Sequence, residues 1–319
     1  MSDRPPEARL WDLLRGAMGT KALGLAADLH IADALAGGPR PVTEFAEEAG
    51  ADAGTLHRIL RALASGGVFA EAEPGVFCNT EASELLRRDG ARGWQEFAHL
   101  FGTVFYGAAA TMDPCASDET FSREFGTDFW SWLEANPEER GAFDAAMAGG
   151  KDLRTERLAE LEWRDEETVV DVGGGNGALL RALLERQPGL FGLILDLPET
   201  ERDEARLGDR ITFVAGSFFE EVPTGDAYIV SRILHDWDDE RASAILRTIR
   251  AAAPQGARLL VLDSVIAPGN EPQGAKWLDL LMLVFGGRER TEPEWRALLE
   301  GTGFGIDQIE DGLIQARCR

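Results

Sequence analysis

Hydrophobic positions along this chain fall into two textures, and the change comes near residue 167. From residue 10 to about residue 110, leucine and alanine recur at helical spacing, so this stretch reads as helix after helix. In PVTEFAEEAGADAGTLHRILRALASGGVFAEAEPGVFCNT, Thr43 is expected to cap a helix whose acidic first turn is residues 44–48. Gly50 stops that helix, Asp52 caps the next, and Leu56, Ile59, Leu60 and Leu63 form one apolar face. Two short extended runs, VFAEA and VFCNT, stand on either side of the turn EPG, which completes the pattern of a helix-turn-helix with a β-wing. Beyond residue 167, short β-rich runs (TVVDV, GLILDL, ITFVAG, AYIVSRIL, RLLVLDSVI) alternate with helical stretches: ALLRALLERQ, a segment near residues 200–207, and ERASAILRTIRAAA. That alternation predicts an α/β domain with a parallel sheet covered on both faces. TEPEWRALLEGTGF carries a capping box from Thr291 to Glu294, and the last runs, FGIDQI and GLIQARC, are close enough to pair antiparallel. A ligand is expected at the carboxyl ends of the parallel strands.

Composition narrows the function. The 319 residues suffice for two domains, and 44% hydrophobic with 28% charged residues is the make-up of a soluble globular protein. The polar start, MSDRPPEARLWDLL, and the lack of any long apolar run lead us to expect a cytoplasmic protein without membrane spans. A net charge of −24, spread over both halves, repels phosphate backbones and anionic membranes and favours a small-molecule partner; general solubility explains it equally well. The would-be recognition helix offers only Arg58 and Arg61, so the winged-helix module reads as structural or dimerising rather than DNA-binding. Cys78, Cys115 and Cys318 lack metal-site or CxxC spacing, and neither disulfides nor zinc are expected.

The candidate chemistry begins in VVDVGGGNGALL, residues 169–180, where a strand runs into four glycines and then a helix. Glycines let the backbone turn sharply and approach a ligand beside a helix N-terminus. Gly173, Gly175 and Ala178 satisfy a dinucleotide pattern, with Asp196 where a ribose-binding acid belongs. Taken alone, the loop does not choose between NAD and another adenosine-bearing cofactor. With Asp171 before it, LDLPET after it, and then GSFF, HDWDD and GGRERT in order, the chain resembles bacterial relatives of the plant caffeic-acid-type O-methyltransferases over nearly its whole length.

The resemblance implies a Rossmann-like methyltransferase domain, with a parallel sheet and C-terminal antiparallel hairpin, behind a mainly helical winged-helix dimerisation domain. It divides the chain into residues 1–110 for dimerisation, linking helices over 111–165, and a cofactor domain over 166–319. The cofactor would be S-adenosyl-L-methionine, leaving as S-adenosyl-L-homocysteine. Gly173 and Gly175 would contact its methionine part, Asp196 its ribose hydroxyls, and Leu197 its adenine, with Phe218 and Trp237 flanking the ring. Ser217 stands where the family often carries aspartate and would meet the adenine edge without a charge; Ser231 and Arg232 would also touch the cofactor.

His235 is the one histidine beyond residue 99, and it follows the strand AYIVSRIL at the carboxyl rim. A phenol has a pKa of roughly 10 and an imidazole one of roughly 6.5, so the ring is suited to take the acceptor's proton as general base. By resemblance, Asp263 and Glu289 would hold its other nitrogen, Asp263 more loosely because plant relatives carry the longer glutamate there. Asp236, Asp238 and Asp239 could instead suggest a metal, but general-base chemistry needs none. Trp130, Phe143 and Met147 would face the acceptor, with Asp236, Met282 and Phe285 also contacting it, a set that suits a planar apolar phenol. Leu10, Leu13, Leu14, Met18 and Leu25 form a candidate homodimer seam. The expected function is O-methylation of an aromatic secondary metabolite, as in antibiotic biosynthesis. The rivals are a hydroxylase or decarboxylase on the same scaffold, an NAD-dependent oxidoreductase and a DNA-binding regulator.

Overall fold

Leu56, Leu60 and Leu63 recur at helical spacing, and in the computed structural model all three are buried on the helix Ala53–Ser65. The structure describes residues 5–90, 93–115, 120–147, 151–198, 200, 207–310 and 312–319. It divides into two units, Met1–Met112 with Phe121–Gly149, and Asp113–Thr120 with Gly150–Arg319.

In the first unit, Asp52 caps the helix Ala53–Ser65 by accepting the Thr55 N–H at 2.8 Å. Thr43 is not a cap, contrary to expectation. The helix Val42–Glu48 begins two residues earlier, with Pro41 at its N-cap, and its first N–H, that of Val42, is bonded to the Gly75 carbonyl at 2.8 Å. Thr43 therefore lies inside the helix, whose start is fixed by a tertiary hydrogen bond. Strands β1 (Arg40–Pro41), β2 (Phe69–Glu73) and β3 (Val76–Asn79) form an antiparallel wing in the order β1-β3-β2. Phe69 and Phe77 point from it into a core with Phe45, Ile31 and Leu35.

The long helix Pro6–Asp28 crosses Trp94–Gly102 at backbone contact, since a Cβ on Gly24 would lie 2.7 Å from the Gly102 Cα. Its first half does not join the core: Leu10, Trp11, Leu13, Leu14 and Met18 are between 60% and 74% exposed. Leu25, next to Gly24 at the crossing, is half-buried. At the crossing, His99 Nδ1 lies 2.7 Å from Asp28 and Nε2 3.0 Å from Glu139, which belongs to the helix Pro137–Met147. Among the described residues no helix is long and apolar enough to cross a membrane.

The second unit is built on β4 (Thr168–Val172), β5 (Phe191–Asp196), β6 (Ile211–Ala215), β7 (Ala227–Ser231) and β8 (Arg258–Leu262). It also contains β9 (Val265–Ile266), β10 (Arg290–Thr291), β11 (Phe304–Glu310) and β12 (Leu313–Cys318). The main sheet has the order β11-β12-β8-β7-β4-β5-β6, parallel from β6 to β8 and antiparallel at β12 and β11.

The apolar runs lack polar alternation because both faces are covered. Val170, Val172, Tyr228 and Val230 pack against Ile245, Leu246 and Ile249 of the helix Asp239–Ala252. Val169, Ile194, Ala227 and Ile229 pack against Leu179, Leu180 and Leu183 of Ala178–Arg186. The capping box from Thr291 to Glu294 is present. Much of the helical stretch expected near residues 200–207, and part of the turn joining β11 to β12, lie outside the described residues. Because β4 pairs with β5 on one side and β7 on the other, chain order reverses there, which opens a crevice at the carboxyl ends.

Burial alone would lower the His99 pKa, but bonds to Asp28 and Glu139 outweigh it and raise it. A raised folded-state pKa gives stability that is full below the unfolded value, roughly 6.5, and is lost as pH rises through the folded value. His99→Gln should therefore lower Tm by more at about pH 6 than at about pH 9. Equal losses in thermal melts at the two pH values would contradict a charged bridge.

Candidate active site

The carboxyl ends of β4, β5, β6, β7 and β8 lead directly into Gly173, Asp196, Gly216, Ser231 and Asp263, so the parallel sheet gathers the motifs on one rim. Gly173 and Gly175 have φ of 71° and 57°, a left-handed conformation that side chains strain. A Cβ on Gly173 would run into Ile233, whereas one on Gly175 would meet nothing within 4 Å. The loop is thus tight against the protein on one side and open on the other. Its position is fixed by Asp196, whose carboxylate accepts the N–H of Gly175 at 2.7 Å, the N–H of Leu197 at 2.8 Å and the Thr200 hydroxyl at 2.7 Å. An open glycine backbone beside an oriented carboxylate fits an adenosine-bearing cofactor.

Around this loop, Ser217 turns its hydroxyl back to accept the Phe219 N–H at 3.2 Å. Phe218 and Trp237 lie edge to face, with centroids 6.4 Å apart, and Phe219 lies against both rings. Ser231 accepts a hydrogen bond from Arg154 at 2.8 Å. Arg232 holds a left-handed φ of 56° while its N–H reaches the Leu262 carbonyl. Burial, then the nearby Arg232 charge, lowers the Arg154 pKa to about 10. Arg154 lies in no recognised motif, and only the fold brings it to β7.

His235 sits in a single turn of 3-10 helix, Leu234–Asp236, beyond β7, and is 6% exposed. Nδ1 lies 2.7 Å from Glu289 Oε1 and 3.9 Å from Asp263 Oδ1, while Nε2 faces the Asp236 carboxylate at 3.5 Å. A carboxylate only accepts, so Nδ1 carries the proton and the neutral ring keeps its lone pair on Nε2. Burial opposes charge on the ring, but Asp236, Asp263 and Glu289 outweigh it and raise its pKa to about 9. Burial raises Asp236 to about 7 and Asp263 to about 6.

GGRERT supplies the scaffold for this turn. Gly286 ends the helix Gly274–Phe285 in a left-handed conformation. Gly287 then passes so close to the His235 carbonyl and the Asp236 backbone that a Cβ could not fit. The Arg288 N–H bonds the His235 carbonyl at 2.8 Å. Arg290, fully buried, donates to the carbonyls of Leu234 at 2.8 Å and Trp237 at 2.9 Å and to Asp239 at 2.9 Å, over the Trp295 ring. Parallel pairing of β9 with β10 ties the segment after Asp263 to the segment after Glu289. The motif marked this region in the sequence, but not that its arginine spans the histidine turn.

The neighbouring acids have other employment. Asp238 caps the helix Asp239–Ala252, and Asp239 pairs with Arg288 and Arg290. Among the described residues no group of three His, Cys, Asp or Glu side chains is arranged for a metal. Trp130, Phe143 and Met147 belong to the first unit, where the Trp130 and Phe143 rings stand edge to face at 5.7 Å. Met282, buried, and Phe285, half-buried, belong to the second.

The seven-stranded sheet with its antiparallel β12 and the solved structures that share its fold place the chain among class I methyltransferases. The profile of the O-methyltransferase domain matches residues 105–305, and that of the O-methyltransferase dimerisation domain matches residues 11–89. Phenazine O-methyltransferase PhzM of Lysobacter antibioticus is 39% identical over 316 residues, covering 96% of this chain and 93% of its own. The crystal structure of LaPhzM has a TM-score of 0.91 at 37% identity, covering 99% of this chain and 100% of its own. An O-methyltransferase from neocarzinostatin biosynthesis, NcsB1, solved with S-adenosyl-L-homocysteine and 1,4-dihydroxy-2-naphthoic acid, has a TM-score of 0.83 at 32% identity and full coverage of both chains. The chain belongs to the S-adenosyl-L-methionine-dependent O-methyltransferase family.

Arg290→Met would leave the Leu234 and Trp237 carbonyls without their donor and Asp239 with Arg288 alone. We expect a loss of about 2–5 kcal/mol in denaturant unfolding. A loss under about 0.5 kcal/mol would remove Arg290 as the anchor of the histidine turn.

Proposed function

We propose that this enzyme methylates a phenolic hydroxyl of an aromatic secondary metabolite, with His235 as general base. The observation that carries this reading is the buried imidazole just beyond β7 with its Nδ1 2.7 Å from Glu289 Oε1, which makes Nε2 the basic atom of the neutral ring. The cofactor, when bound, supplies an electrophilic methyl on a sulfonium and departs as S-adenosyl-L-homocysteine. Nε2 takes the phenolic proton as the phenolic oxygen is alkylated, and the carboxylates of Glu289, Asp263 and Asp236 stabilise the resulting imidazolium. A ring pKa near 9 lies closer to that of a phenol, roughly 10, than an ordinary imidazole's does, so the transfer is less uphill. In this reading Gly173, Gly175, Ser231 and Arg232 hold the methionine part. Asp196 and Leu197 hold the nucleoside, with Ser217, Phe218 and Trp237 around the adenine. Arg154, through Ser231, joins them.

The acceptor is read as planar and apolar, with Trp130, Phe143, Met147, Asp236, Met282 and Phe285 assigned to it. NcsB1, with its bound naphthoic acid, supports the chemical class. The dimerisation-domain match over residues 11–89 includes the exposed Trp11, Leu13, Leu14 and Met18, which supports a homodimer through this row. Net charge of −24 supports a small-molecule partner over nucleic acid or membrane, in keeping with a cytoplasmic location.

With methyl-labelled S-adenosyl-L-methionine and 1,4-dihydroxy-2-naphthoic acid or a hydroxyphenazine as probe acceptor, mass spectrometry should find one added methyl. His235→Gln should keep cofactor binding in calorimetry and lose transfer by roughly 10²–10⁴-fold. Undiminished transfer would remove His235 from the chemistry. Because the base must be neutral, kcat/KM should rise with pH, its acid limb lying above the ordinary histidine value; a limb below about 6.5 would contradict the raised pKa. Light scattering should report a dimer that Leu14→Glu with Met18→Glu converts to monomer, and a monomeric parent chain would overturn the seam.

A further inference from the structure

The carboxylate that orients His235 is itself held from the helix Gly274–Phe285. Asp279 Oδ1 accepts the Glu289 N–H at 2.8 Å. Glu289 is 2% exposed, and an unbonded amide there would be costly. Two further bonds follow the same route, from the Gly287 N–H to the Met282 carbonyl and from the Arg288 N–H to the His235 carbonyl, each 2.8 Å. Met282 lies three residues after Asp279, on the adjoining helical turn.

We propose that Asp279 is a positioning residue that sets Glu289, and through it the His235 ring, from the helix that also carries Met282 and Phe285. This rests on the reading of His235 as the base. Its consequence is that a displacement of this helix reaches the imidazole through two hydrogen bonds in series, Asp279 to the Glu289 N–H and Glu289 to Nδ1, so that the wall bearing Met282 and the base move together. The charged and titratable groups acting on the ring are Asp236 on its own turn, Asp263 after β8 and Glu289 before β10; behind them, Arg232 acts on Asp236 and Asp263, and Arg290 on Asp263. Loss of the Asp279 bond lets Glu289 leave Nδ1. One partner that favours the imidazolium is then weakened, and the ring titrates at lower pH.

The test is an NMR titration of the full-length, cofactor-free chain labelled in its histidine rings, with His235 assigned by its disappearance in His235→Gln. Asp279→Ala should lower the His235 midpoint, and Asp279→Asn, which keeps the acceptor oxygen without the charge, should restore most of it. Should Asp279→Ala fail to fold, Asp279→Leu fills the site without an acceptor. With 1,4-dihydroxy-2-naphthoic acid as probe acceptor, kcat should fall by about 10- to 100-fold in Asp279→Ala while KM for S-adenosyl-L-methionine holds. A wild-type midpoint in the acceptor-free variants would overturn the proposal. So would equal midpoints in Asp279→Asn and Asp279→Ala, which would mark a remote charge rather than a hydrogen bond. If His235→Gln retains full transfer, the base reading fails, and the titration still reports on the Asp279 bond.

Discussion

Burying ionisable groups costs free energy unless they are paired, and the carboxyl rim of this sheet buries four together. The 2.7 Å contact between His235 Nδ1 and Glu289 Oε1 makes that arrangement tolerable, because it gives one acid a donor and the ring a fixed tautomer. Asp263 is held differently: at 3.9 Å from Nδ1 it contributes charge more than a bond, and neither of its oxygens has a hydrogen-bond partner among the described residues. The buried ring is therefore the nearest positive charge to three acids, with Arg232 and Arg290 acting on them from further out. Burial raises Asp236 and Asp263, while the acids outweigh the ring's own burial and raise His235.

Such a cluster works only if the backbone around it cannot relax. Arg290 bonds the carbonyls before and after the His235–Asp236 pair, and Gly287 leaves no room for the turn to shift toward it. The sheet does the same at longer range. Parallel strands with both faces buried bring loops from five places in the sequence to one edge, with the glycine loop pinned by Asp196 and the His235 ring pinned by Glu289. Catalysis by alignment needs that rigidity, since small displacements of reacting groups cost large factors in rate.

Much of this was legible from residue order. Strands covered on both faces must be apolar throughout, so TVVDV, AYIVS and RLLVL announced the parallel sheet, and the capping residues Asp52 and Thr291 announced their helices. Thr43 misled because the helix starts ahead of it, at Val42, whose N–H bonds the Gly75 carbonyl, distant in sequence. Arg154 and Asp279 were invisible for the same reason: each acts through one bond to a residue 77 or 10 positions away, and composition carries no trace of it. The edge-to-face packing of Phe218 on Trp237 is likewise a tertiary arrangement that no spacing encodes.

The tautomer of His235 is the most direct test of the claim that Glu289 orients a basic Nε2. Nitrogen-15 NMR of the ring, recorded above its titration midpoint, is expected to find the proton on Nδ1 and a lone pair on Nε2. A neutral ring carrying its proton on Nε2 would leave no basic atom for the acceptor's hydroxyl and would contradict the assignment.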